Sequence, residues 1–124
     1  MKTLKNILAI SILICLFSTN SFAQKKTLTD EEQVQEAVIA EIDAVFKDKD
    51  FLKQKAKKFA DIKGTMTIDI GVVQNGKVST FFKVDDDISK PMFTNFVSEY
   101  ILDHKFYFKL QKQQRYKIRY TATF

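Results

Sequence analysis

Residues 64–84 read GTMTIDIGVVQNGKVSTFFKV, and the period of this stretch decides the fold. Met66, Ile68, Ile70 and Val72 alternate with Thr65, Thr67, Asp69 and Gly71. Such alternation marks a half-buried strand, because successive side chains leave a strand on opposite faces. Asn75-Gly76 follows. Both residues tolerate positive φ, so the pair predicts a type I′ hairpin turn. Lys77 to Val84 is the returning strand. Val78, Thr80, Phe82 and Val84 are expected on one face, and Ser79, Phe81 and Lys83 on the other. Asp85-Asp86-Asp87 ends the hairpin as a charged turn. Three carboxylates also suit calcium, but no glycine-bearing loop with a distant glutamate follows, so the EF-hand pattern fails.

On the C-terminal side, Ser89 is a helix cap and Pro91 fits a first turn. Met92, Phe93, Phe96, Val97, Tyr100 and Ile101 then form a wide apolar helical face. Lys105 to Leu110 is a short extended aromatic stretch, and Lys112-Gln113-Gln114 a polar turn. The last strand runs from Arg115 to Phe124. Tyr116, Ile118, Tyr120, Ala122 and Phe124 share one face; Arg115, Lys117, Arg119, Thr121 and Thr123 share the other.

On the N-terminal side, Gln24 to Leu28 is a polar leader expected to be mobile. Thr29 and Glu32 have capping-box spacing. Val34, Val38, Ile42, Val45 and Phe46 make one helical stripe, ending near Lys47–Lys49. Asp50 can cap a second short helix with Leu52, Ala56 and Phe59 inward and Lys53, Lys55, Lys57 and Lys58 outward.

The expected class is therefore α+β: two helices, then β-β-α-β. A three-stranded antiparallel sheet of order 2-1-3 follows from a tight hairpin and a helical return, with helices on one face. The last strand is then an edge.

Residues 1–23 read as a cleaved signal peptide, leaving one domain over 24–124. Lys2 and Lys5 precede the apolar run Ile7 to Phe17, and Ser21-Phe22-Ala23 fits a small-x-small cleavage site. Eleven apolar residues fall well short of the roughly 20 that span a bilayer. A periplasmic or secreted location follows as an expectation. Cys15, the one cysteine, lies inside that run, where Leu16-Phe17 continue it; this argues against lipidation. The mature chain would have no disulfide. Losing Lys2 and Lys5 lowers the net charge from +5 to +3, a mild excess that fits ordinary solubility or an anionic partner.

No catalytic residue, cofactor or metal site is assigned from the sequence, and no enzyme is expected. HExxH, P-loop and GxSxG patterns do not occur. His104 is the only histidine, and general acid–base work needs oriented partners for it. A glycosidase-type carboxylate pair is the one catalytic arrangement a single sequence leaves open. No nucleic-acid motif is present.

From Gly64 to Phe124 the chain resembles the C-terminal domain of TonB-type energy transducers. The matching features are Ile62-Lys63-Gly64, Thr65 to Ile70, Asn75-Gly76-Lys77-Val78, a helix running into Lys105-Phe106, and an alternating closing strand. Where the family often has Tyr-Pro, Lys53 and Gln54 stand; His104 occupies its tryptophan position and Phe108 its proline position. Its membrane anchor and Pro-rich spacer have no counterpart in this sequence. The resemblance implies pairing with a short peptide segment of an outer-membrane receptor. Coupling to an inner-membrane motor is not expected without an anchor.

The residues themselves point the same way. An edge strand offers free N–H and C=O groups to an added strand. The candidate partner-binding residues are Arg115, Lys117, Arg119, Thr121 and Thr123. Edge cations also block unwanted sheet extension, a competing reading. The expected partner is a protein or peptide, or a second copy joined through the C-terminal strand. An alternative is an anionic-surface binder using Lys53 to Lys58.

Overall fold

Alternating and helical periods meet in a mixed α/β arrangement. The computed structural model describes residues 25–124; the signal-peptide and leader-start expectations at 1–24 lie outside the described residues. The elements are β1 (Lys26–Leu28), α1 (Glu31–Lys47), α2 (Lys49–Lys58), β2 (Thr65–Val72), β3 (Val78–Asp86), α3 (Pro91–Asp103), β4 (Phe108–Leu110) and β5 (Tyr116–Thr123). Three strands form an antiparallel sheet in the order β3-β2-β5, and β1 pairs with β4 in a separate parallel pair. No helix among the described residues is long and apolar enough to cross a membrane.

The inward set of β2 is as its alternation predicts, although Asp69 and Gly71 on the opposite face are buried as well. Met66, Ile68, Ile70 and Val72 are buried against the helices. They meet Val34, Val38 and Ile42 of α1, and Phe93, Phe96, Val97 and Ile101 of α3, in one core. The face read for α3 needs one correction. Met92 is 75 % exposed, because it sits in the first turn beside Pro91 and points away from the sheet.

β3 does not keep one alternating phase. Its pairing with β2 slips between Gly71 and Val72 and again between Thr67 and Ile68, leaving Ser79 and Val84 without direct partners. Each extra residue reverses the faces that follow. Phe81 therefore lies opposite Ile70 and packs against the core, while Phe82 lies opposite Asp69 and is 65 % exposed. The expected shared face of Val78, Thr80, Phe82 and Val84 is therefore split: Thr80 and Phe82 keep one side, opposite Gly71 and Asp69, while Val78 lies opposite inward Val72 and Val84 falls at a bulge. The turn also differs. Asn75 is not at positive φ; Gly76 alone is, at 80°. The Gly76 N–H donates to the Val73 carbonyl at 3.0 Å and the Val73 N–H to Lys77 at 3.1 Å. This is a type I-like turn closed by a left-handed glycine, not a type I′ pair. Asp85 and Asp86 belong to β3 rather than to a turn, and Asp87 Oδ1 accepts from the Thr65 N–H at 2.7 Å.

Helix starts shift by a residue or two from their expected caps. Asp30, not Thr29, caps α1; its carboxylate accepts from the Glu32 N–H at 3.4 Å. Asp48, not Asp50, precedes α2. The inward side of α2 is consequently Phe51, 1 % exposed, while Leu52 is half exposed and Ala56 faces solvent. Lys90 precedes α3 without a side-chain cap, and Ser89 adopts a positive φ of 55°. The segment expected to be a mobile leader instead holds β1. Its Leu28 is buried, opposite Leu110 of β4, which a polar composition did not suggest.

Candidate functional site

β5 sits at one margin of the sheet, and its hydrogen-bond parity decides what that margin offers. Gly64 and Phe124 exchange both N–H···O=C bonds, at 3.3 and 2.8 Å. In an antiparallel ladder such mutually bonded pairs recur every second residue. Ala122, Tyr120, Ile118 and Tyr116 therefore bond to Met66, Ile68, Ile70 and Val72. Thr123, Thr121, Arg119 and Lys117 lie opposite Thr65, Thr67, Asp69 and Gly71, and direct their N–H and C=O groups away from β2. Among the described residues no other hydrogen bond takes up these backbone groups. All four side chains are exposed, while Ile118, Tyr120 and Ala122 are buried.

The two margins differ in regularity. β5 keeps register with β2 through eight consecutive pairs, Thr65–Thr123 to Val72–Tyr116. β3 is broken by its two slips, and Lys77 at its start is bridged by Lys105. Bulges of this kind discourage edge-to-edge pairing.

The outer face near β5 carries one ion pair. Arg119 donates from Nε and Nη2 to Asp69 Oδ1 and Oδ2, at 3.0 and 3.2 Å. Asp69 is only 6 % exposed, with Arg119 directly opposite it on the neighbouring strand. The hydrogen bonds from Arg119 hold its carboxyl below the usual range, with burial opposing and the charges of Arg119 and Lys117 assisting. Asp69 pairing thus stabilises the fold above an unfolded pKa of about 3.9, and that contribution fades as pH falls through the lowered value. In an Arg119→Gln protein the Asp69 titration, followed by carboxyl carbon shifts, is expected to move back up. An unchanged midpoint would show that the guanidinium does not set it. Thr67 and Thr121 share a hydroxyl hydrogen bond at 3.1 Å beside this pair.

On the inner face α1 packs against β5. The Tyr120 hydroxyl donates to Asp43, and the Phe46 ring lies 5.9 Å from Tyr120 and 5.4 Å from Phe124. Burial and the bond to Asp43 push the Tyr120 hydroxyl well above its ordinary range. Tyr100, bonded to Asp50 at 2.8 Å, is raised to about 12 for the same two causes. Both phenols favour their protonated forms in the fold, so stability drains away as pH climbs from about 10 through the raised values.

The structure assembles the five expected site residues unevenly. Lys117, Arg119, Thr121 and Thr123 share both the open edge and the outer face, while Arg115 precedes the strand. Arg119 is already occupied by Asp69; Lys117 and Arg115 make no ion pair among the described residues. The lysine cluster of α2 is divided. Lys53, Lys57 and Lys58 are exposed, but Lys55 Nζ reaches back to the Ile62 carbonyl at 3.3 Å.

Sequence reading missed a groove of about 680 Å³ between α1 and the end of α3. Glu41, Asp48, Asp50, Glu99, Asp103, His104 and Tyr107 are among the residues that line it. Glu41 Oε1 receives a hydrogen bond from His104 Nε2 at 2.9 Å, and the Tyr107 N–H spans both its oxygens. A carboxylate only accepts, so Nε2 is the donor in this contact. These contacts tie α1 to the end of α3. The other four carboxylates are solvent-exposed. No trio of His, Cys, Asp or Glu is arranged to hold a metal among the described residues.

No family model, curated protein or solved structure matches this chain.

Proposed function

We propose that this protein is a non-catalytic module that binds an extended protein or peptide segment by strand addition to β5. The observation that carries this reading is the contrast between the two margins: eight regular pairs along β5 against two bulges along β3. Bulges deform the β3 edge, whereas β5 stays regular and carries only the exposed cations Lys117 and Arg119 against unwanted extension. Main-chain bonds from Lys117, Arg119, Thr121 and Thr123 would supply affinity, and alternating side chains would set selectivity. The resemblance to TonB-type C-terminal domains supports an outer-membrane receptor segment as the partner and a periplasmic setting. A second copy of the chain would use the same bonds.

Hydrogen exchange tests the docking mode. In the free protein the amides of Lys117, Arg119 and Thr121 are expected to exchange fast, and those of Ile118, Tyr120 and Ala122 slowly. Receptor-derived peptides at high micromolar concentration should slow the first set and leave the second unchanged. Absence of added protection on the first set counts against the proposal.

A further inference from the structure

We propose that the strand accepted by β5 runs antiparallel to it, carries an acidic residue opposite Lys117, and alternates apolar side chains towards α1. This deepens the docking reading above and rests on it.

Residues directly opposite in an antiparallel ladder project from the same face. Partners of Lys117, Arg119, Thr121 and Thr123 would therefore stand on the outer face. The charges there are not evenly available. The Arg119 guanidinium is held by both oxygens of Asp69. Thr121 is engaged with Thr67 and, like Thr123, brings no charge. Lys117 is exposed and makes no ion pair among the described residues, and exposed Arg115 lies two residues before it. Positive charge thus concentrates at the beginning of β5 and gives the edge a polarity. An acid at one end of the visiting strand satisfies it; an acid at the other end meets Thr123.

The inner side asks for something different. Partners of Ile118, Tyr120 and Ala122 project towards α1. Phe46 is half-buried there against Tyr120 and Phe124, and Ala122 is the smallest inward side chain on β5. Apolar groups placed there extend the existing aromatic packing, whereas an acidic one would be desolvated beside the Asp43 carboxylate. Either direction would engage both free groups of each outward residue; the antiparallel one is taken from the slightly greater stability of that ladder.

Two blocked peptides of identical composition test this: acetyl-Thr-Val-Thr-Val-Thr-Val-Glu-amide and acetyl-Glu-Val-Thr-Val-Thr-Val-Thr-amide. Binding is read from amide shifts of β5 at low salt. In the antiparallel register the first places glutamate opposite Lys117, and it is expected to bind about threefold more tightly, the size of an exposed ion pair. The preference should vanish in Lys117→Gln and at high salt. Equal binding of the two peptides overturns the acidic preference. Tighter binding of the second overturns the antiparallel direction. A preference that survives Lys117→Gln overturns the assignment to that lysine. If neither peptide shifts β5, the docking mode itself fails.

Discussion

Phe51→Ala is expected to remove about 3–5 kcal/mol of folding stability, whereas Leu52→Ala beside it should change stability by about 0.5 kcal/mol or less. Phe51 is 1 % exposed and Leu52 is half exposed. The Phe51 ring lies 5.0 Å from Phe46, 5.4 Å from Phe96 and 5.1 Å from Tyr100, so it joins α1, α2 and α3. Truncating it loses the transfer energy of a whole ring and leaves a cavity walled by other rings that cannot collapse freely. A domain near 100 residues loses about 4–8 °C in Tm per kcal/mol, so melting should fall by roughly 12 °C or more. Thermal and urea unfolding followed by circular dichroism measure both variants. Similar melting for the two proteins would put Leu52 rather than Phe51 on the inward face of α2, beside Phe59, which packs on the core as expected.

That pair of residues shows what an amphipathic pattern can and cannot deliver. In the ten residues of α2, Phe51, Leu52 and Ala56 are the apolar candidates, and several are lysine. A helix this short and this polar supports more than one rotational setting by periodicity alone. The choice is made by the neighbouring rings of α1 and α3, which no local window contains. β3 failed for a related reason. Two bulges cost two residues of register, one at Ser79 and one at Val84, and each reverses the inside–outside phase of the residues beyond it. β2 and β5 were legible because burial on one face imposes an unbroken alternation, and both keep it in their mutual pairing. β1 escaped notice because three residues paired to β4 across some eighty positions leave no periodic trace.

The candidate site divides along the same line. That Lys117, Arg119, Thr121 and Thr123 share a face is a local property of a strand and could be read directly. That their backbone groups point outward depends on the Gly64–Phe124 pair, which fixes the ladder parity. That Arg119 is committed while Lys117 is not depends on Asp69, fifty positions earlier in the chain. The groove at Glu41 and His104 likewise joins residues sixty-three positions apart. Pairings of this span are set by topology, and topology was inferred rather than read.

Thr121→Pro is expected to abolish docking at β5 while leaving the domain folded, and Tyr120→Pro one residue earlier should unfold it. The contrast follows from parity. Tyr120 is bonded to Ile68 within the ladder, so proline there removes a bond from the sheet interior and forces its ring against β2. The Thr121 N–H points off the sheet, the one place where a strand accepts proline. The Thr121 variant forfeits an exposed hydroxyl contact with Thr67, a small loss, but withdraws a donor from the middle of the open edge and puts a ring in the path of an incoming strand. Peptide binding by amide shifts, with melting measured in parallel, separates the effects: native-like melting without binding for Thr121→Pro, and early melting for Tyr120→Pro. Should Thr121→Pro strain the backbone, Thr123→Pro makes the same test at the strand end, where little structure follows. Undiminished peptide binding by a folded proline variant would mean that the visitor does not use these amides, and strand addition at β5 would have to be abandoned.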